Sequence, residues 1–379
     1  MQHHLDAQTV LTLLASLAVI LASADLFTNG IEWLGHRLEL AEGAVGSVLA
    51  AVGTALPETL IPFVAILIGG SPQDKDIGMG AILGAPFMLA TLAMFVTGVA
   101  AVASQARRPQ GVRIVINRRA IARDLAFFLV MYAVAVGASF IRARALHVGL
   151  CFAALAAYIL YLRLTLADPS AANGEIHALR FQRLITRFRH RRSDGEDLDT
   201  YRERLASLAH HPPRLRVIFG QVLLALAGIV GGAYIFVGAA ERTAEALGVA
   251  PLLIALVIAP IATELPEKFN SVVWIRQGKD TYALGNITGA MVFQSSFPVS
   301  LGMAFTAWQL LAPPGQPQTG LYSAGLALAG GSWLLVAALI APREKAGPGH
   351  PARARLHPAT LLVGGLLYAA FIALLVTGA

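Results

Sequence analysis

Two short stretches carry side chains that an apolar chain does not hold by accident. Gly53-Thr54-Ala55-Leu56-Pro57-Glu58 lies inside an apolar run from about 43 to 70. Ala262-Thr263-Glu264-Leu265-Pro266-Glu267 lies inside a second, 209 residues later. A charge at the centre of a bilayer costs roughly 2.5–3.5 kcal/mol on insertion scales. A proline inside a helix leaves the carbonyl four residues back without its donor, which here means Gly53 and Ala262. A threonine and a glutamate four apart share one helix face, as Thr54 and Glu58 do, and Thr263 and Glu267. Each stretch therefore offers a carboxylate, a hydroxyl and a backbone oxygen in one patch. That all-oxygen set suits Na⁺ or Ca²⁺ and does not suit zinc or copper. Facing copies would bring Glu58 and Glu267 together, and a cation or a proton would relieve their repulsion. Ions competing for one charged pair are a sufficient basis for exchange.

Such patches need spanning helices to position them. The chain has 379 residues, 56% hydrophobic and 13% charged, against roughly 25% charged in soluble domains. Several apolar runs exceed 18 residues, which predicts an all-α polytopic membrane protein rather than a barrel of short alternating strands. Ten spans are predicted, at about 9–34, 43–69, 77–104, 121–143, 146–166, 217–247, 249–275, 281–312, 319–341 and 358–378. The first lacks a basic leader and runs on into Asp25 and Glu32, so it reads as a span and not a cleaved signal. Cys151, the only cysteine, can form no intrachain disulfide.

The net charge of +7 would suggest nucleic acid in a soluble protein. Here the arginines cluster in loops, so no nucleic-acid partner is expected. The basic loops follow the third, fifth, seventh and ninth spans, which predicts that all four are cytoplasmic and that both termini lie outside. A bacterial inner (plasma) membrane is the expected location. The expected division is 1–166, a first five-helix repeat with its motif in 43–104; 167–216, a basic cytoplasmic loop; and 217–379, a second repeat with its motif in 249–312. Within the loop, 176–192 carries an apolar stripe among arginines and is expected to lie on anionic lipid.

The halves are related. At a shift of 209, Thr54, Leu56, Pro57 and Glu58 meet Thr263, Leu265, Pro266 and Glu267. At 205, Gly80, Ile82 and Gly84 meet Gly285, Ile287 and Gly289. Glycines four apart let helices approach closely. The second copy adds Asn286, Thr288, Gln294, Ser295 and Ser296 where the first has Ala81, Leu83, Leu89, Ala90 and Thr91. An odd number of spans per repeat inverts the second relative to the first. Inverted repeats with interrupted helices point to a secondary transporter with its site at the midplane.

These motifs resemble the calcium/cation antiporter superfamily, the sodium/calcium exchanger group. Its hallmark is a pair of inverted repeats carrying Gly-Thr-Ser-Leu-Pro-Glu and, one span later, Gly-Asn-x-x-Gly-Ser-Asn/Asp-x-x-Asn. The resemblance covers both halves and implies the sodium/calcium exchanger fold. It also implies alternating access, with Ca²⁺ or a related cation exchanged against Na⁺ or H⁺, and no further cofactor. It places carboxylate ligands at Glu58 and Glu267, and hydroxyl and backbone ligands at Thr54 and Thr263. Asn286 and Gln294 are expected to assist.

The chain departs from the pattern at Ala55 and Glu264 for serine, Ala85 and Ala290 for serine, and Pro86 and Met291 for the paired Asn/Asp. The expected cage thus loses oxygens, while a Ca²⁺ ion takes six to eight. Glu264 and Lys268 are spaced i, i+4 in the favourable order for an ion pair. Lys268 either neutralises Glu264 or, with its readily shifted pKa, stands in for a transported cation. Three readings follow: a calcium-type antiporter, a sodium/proton exchanger of the same fold, or a non-transporting regulatory descendant. No enzyme is expected: the chain has no His-Glu-x-x-His motif and no Gly-x-Ser-x-Gly elbow placed to act.

Overall fold

Ser71 and Asp74 start the helix around which the bundle is arranged. The Ser71 hydroxyl accepts from the Asp74 amide at 3.0 Å, and the Asp74 carboxylate accepts from the Ser71 amide at 2.9 Å. Pro72 follows at the first helical position, where its missing N–H is no loss. The helix then runs unbroken over Pro72–Ala103, and 83% of its most apolar window is buried. The other long spans are between 17% and 44% buried, so this helix is the inner column and they face outward. It begins five residues before its expected start because the cap, not the apolar run, sets its end.

The computed structural model describes residues 6–37, 58–166, 179–181, 213–314, 316–343 and 353–377, without the side chains at 32, 35–37, 166, 262, 265–270, 376 and 377. Its helices are α1 (Ala7–Arg37), α2 (Glu58–Ile68), α3 (Pro72–Ala103), α4 (Arg118–Ala138), α5 (Arg144–Leu166), α6 (Leu215–Leu247), α7 (Pro251–Arg276), α8 (Asp280–Gln294), α9 (Phe297–Phe305), α10 (Thr319–Ile340) and α11 (Ala359–Thr377). Each expected span has a helix among the described residues. The eighth is split into α8 and α9 at Ser295 and Ser296. The sequence gives a reason: Pro298 has no N–H for the Gln294 carbonyl, and the Ser295 and Ser296 hydroxyls turn back onto the carbonyls of Val292 and Phe293. Residues 90 and 91 of α3, their counterparts in the first repeat, lie in a π-helical turn over Leu89–Ala93. Both repeats thus disturb the same helix at the same level.

Packing follows the repeat. The equivalent helices α1 and α6 lie against each other, as do α4 and α10. α3 packs on α7 and α11, and its counterpart α9 packs on α5. Gly80 and Gly84 allow the α3–α7 approach. A Cβ at either would lie 2.3 Å from the carbonyl oxygen of Leu252 or Leu256. No such crowding meets Gly285, where nothing among the described residues lies within 4 Å.

The loops after the third, seventh and ninth spans meet on one face. β1 (Ile114–Asn117) pairs antiparallel with β2 (Arg353–Leu356), with Ile114 opposite Leu356 and Asn117 opposite Arg353. Arg108 is buried beside them. Its guanidinium donates to the carbonyls of Gly111, Arg113 and Ile275 and to Asp280 at 2.9 Å. Of 176–192, residues 179–181 are described. Leu179 is buried, and the amides of Arg180 and Phe181 donate to Asn29 and Gln221. The Arg180 guanidinium pairs with Asp25 at 3.2 Å. These three residues dock on α1 and α6; the rest of the stretch lies outside the described residues.

Two substitutions and one control test these contacts. Gly84→Ala should destabilise the protein by about 1–3 kcal/mol through overpacking, while Gly137→Ala, with open space around it, should change little. Arg108→Ala, which strands Asp280, should cost about 3–5 kcal/mol. Thermal unfolding of the purified protein in detergent reads all three.

Candidate functional site

The break in the eighth span delivers Gln294. It is the last residue of α8, 1% exposed, and its side chain leaves the helix where the backbone ladder stops. Its Nε2 donates to two carboxylates at once. One is Glu58 Oε2 on α2; the other is Glu264 Oε1 on α7, at 3.2 Å. Glu58 is 8% exposed and Glu264 is fully buried. Glu264 stands halfway along α7, and Gln294 stands at the centre of the α8–α9 span. One amide therefore joins the first described turn of α2 to the middle of α7 and to the break between α8 and α9.

Geometry sets the electrostatics. Two oxygens that share one nitrogen at hydrogen-bond distance are no more than about 6 Å apart. Two full charges at that separation repel by about 3 kcal/mol at an effective dielectric of 20. The amide offers each carboxylate a donor but no charge. A cation or a proton at the pair would relieve that repulsion.

The other expected residues fall as follows. Thr263 is buried on α7, one position before Glu264, and its hydroxyl donates to the Ala259 carbonyl at 3.0 Å. The backbone at Ala262, Glu267 and Lys268 is helical within α7. Their side chains lie outside the described residues, so the expected Glu58–Glu267 and Glu264–Lys268 pairs do too. Gly53 and Thr54 also lie outside them. Asn286 is not at the Gln294 bridge: its amide donates to the Ser271 hydroxyl at 3.3 Å, two turns away along both α8 and α7. The pairing of Glu58 with Glu264 was not expected. The sequence signal was present, since Glu264 is the acidic residue that the first repeat lacks and Gln294 replaces Leu89.

A buried carboxylate pair beside the α8–α9 break, inside an apolar helical bundle with repeated halves, fits the class of membrane transporters for cations. The family model described as "Sodium/calcium exchanger protein" matches residues 8–167 and 217–377. The chain belongs to the sodium/calcium exchanger family. Among curated relatives, the putative antiporter CaxA of Alkalimonas amylolytica is 26% identical over 280 residues, covering 74% of this chain and 75% of that protein. The sodium/calcium exchanger MaX1 of Methanosarcina acetivorans is 25% identical over 292 residues, covering 74% and 79%. Among solved structures, the H⁺/Ca²⁺ exchanger CAX aligns with TM-score 0.65 at 13% identity, covering 97% of this chain and 82% of that one. The sodium–calcium exchanger NCX_Mj aligns with TM-score 0.51 at 17% identity, covering 96% and 97%. The fold is that of these exchangers.

Gln294→Leu places the residue of the first repeat at the bridge. It removes the donor shared by two buried carboxylates and should cost about 1–3 kcal/mol when no cation is added. Thermal unfolding with and without added Ca²⁺ or Na⁺ checks this; the variant, having lost a polar group of the site, should gain less from the cation than the wild type does.

Proposed function

We propose that this protein is a secondary active antiporter working by alternating access. It exchanges Ca²⁺ or a related cation against Na⁺ or H⁺ at a carboxylate site near the bilayer midplane. The observation that carries the reading is the single Gln294 amide shared by Glu58 and Glu264, at the middle of α7 and the α8–α9 break. Glu58 and Glu267 are the metal-binding carboxylates, and Glu264 and Gln294 join them. Thr54 and Thr263 supply hydroxyls, and Gly53 and Ala262 the carbonyls that Pro57 and Pro266 leave free. Asn286 acts from two turns away. Lys268 modulates the charge of the site.

H⁺ is the counter-ion this residue set favours. Carboxylate has replaced a neutral serine position at Glu264, and hydroxyls and amides are missing at Ala85, Pro86, Ala290 and Met291. A proton needs one carboxylate oxygen, whereas Ca²⁺ needs six to eight oxygens. The protein sits in the bacterial inner membrane with both termini outside, and the gathered basic loops face the cytoplasm. The two repeats, 1–166 and 217–379, are joined by the basic loop 167–216, whose remaining arginines contact anionic lipid.

The test is ion flux in reconstituted vesicles, with Ca²⁺, Na⁺ and pH gradients varied separately. Glu58→Gln and Glu267→Gln together should abolish exchange, and Glu264→Gln should alter its pH dependence. No flux by the wild type would favour a non-transporting descendant. Flux that survives the double substitution would refute the site.

A further inference from the structure

α8 carries Gln294 to the bridge, and polar contacts along it, from Asp280 and Thr281 at its start to Asn286 and Thr288, set how the helix is turned. Asp280 at its start is held by Arg108. Asn286 bonds Ser271 of α7. Thr288 turns the other way and donates to Asp124 Oδ2 of α4 at 2.8 Å. The rest of the buried surface of α8 is apolar: Ala283, Leu284, Ile287, Met291 and Val292. Apolar packing is non-directional and tolerates rotation about the helix axis more readily than a hydrogen bond does.

Asp124 is an expensive residue for this position. It lies six residues inside α4, 4% exposed, in a helix long and apolar enough to span a membrane. Its other oxygen, Oδ1, accepts from the Tyr161 hydroxyl of α5 at 3.1 Å, and from Arg123 at 3.4 Å. The Arg123 guanidinium also lies over the Tyr161 ring, 5.8 Å from its centroid. One carboxylate thus ties α8 to both α4 and α5. An ionisable residue inside a spanning helix marks function by default, and neither sequence repeat nor motif accounts for this one.

We infer that Asp124 is a positioning residue for ion exchange. Through Thr288 it fixes the rotation of α8 so that Gln294, six residues and about 9 Å further along, faces Glu58 and Glu264. Asn286 and Gln294 approach α7 from one side of α8, and Thr288 holds α4 from another. The helix is clamped between the two. The inference rests on the exchange reading, because it assigns Asp124 a role in affinity at that same site.

The experiment is Ca²⁺ uptake into proteoliposomes under an imposed Na⁺ or pH gradient, read as initial rate against Ca²⁺ concentration. Thr288→Val keeps the shape of threonine and removes the donor. It should raise the half-saturating Ca²⁺ about tenfold with a smaller change in maximal rate. Thr288→Ser, which keeps the hydroxyl, should stay within about twofold of wild type. Combining Asp124→Asn with Thr288→Val should be no worse than the poorer single variant, because both act on one contact. If the Asp124 variant does not reach the membrane, the Val and Ser pair decides alone. Unchanged half-saturation in Thr288→Val, or equal loss in the Ser and Val variants, overturns the inference and leaves the exchange reading standing. Absence of Ca²⁺ uptake by the wild type overturns Ca²⁺ as the exchanged cation and this inference with it.

Discussion

The structure depends on one shared hydrogen-bond donor. Gln294 answers two buried carboxylates on different helices, and each of those is costly in an apolar bundle without a partner. Satisfying both requires α2, α7 and α8 to meet at one level. α8 ends at that level, with Gln294 as its last residue. The Ser295–Ser296 break and Pro298 are the local chemistry that ends it.

The remaining architecture holds that meeting in place. α7 must lie close to α3, and Gly80 and Gly84 remove the side chains that would keep the backbones apart. α7 and α8 must keep their turn, and the buried Arg108–Asp280 pair fastens it to the end of α3 and to β1. α1 and α6 make a long pair of their own at the side, joined by Gln221 donating to Leu26 and Asn29 and by the docked residues 179–181. Among the described residues apolar packing fills most of the interior, and polar side chains between helices pair with one another. That is the distribution a bilayer imposes, because an unsatisfied polar group there has no water to turn to.

The repeat is a frame rather than a symmetry of the site. Glu58 and Glu267 correspond by sequence, but the carboxylates seen on one amide are Glu58 and Glu264. Glu264 stands at the position of Ala55, and Gln294 at that of Leu89. The second half has taken on the polar groups that the first half lacks. Matching backbones with unequal side chains let one half supply a donor and an extra acid to the other.

Much of this was legible beforehand for definite reasons. Apolar runs of spanning length have one stable form in lipid, so the helices could be placed from Leu, Val and Ala content alone. Thr-x-Leu-Pro-Glu recurs too specifically for chance, so the repeat and its carboxylates were readable, and the family with them. The lateral partners were not. Nothing local to Ile114–Asn117 says that it pairs with Arg353–Leu356, and nothing local to Asp124 says that Thr288 and Tyr161 will meet it. A sequence fixes which groups are buried, because burial follows from hydropathy and helix period. Which buried polar group answers which depends on how separate helices turn and cross. The tertiary structure alone decided that Gln294 lies between Glu58 and Glu264, and that Asn286 does not.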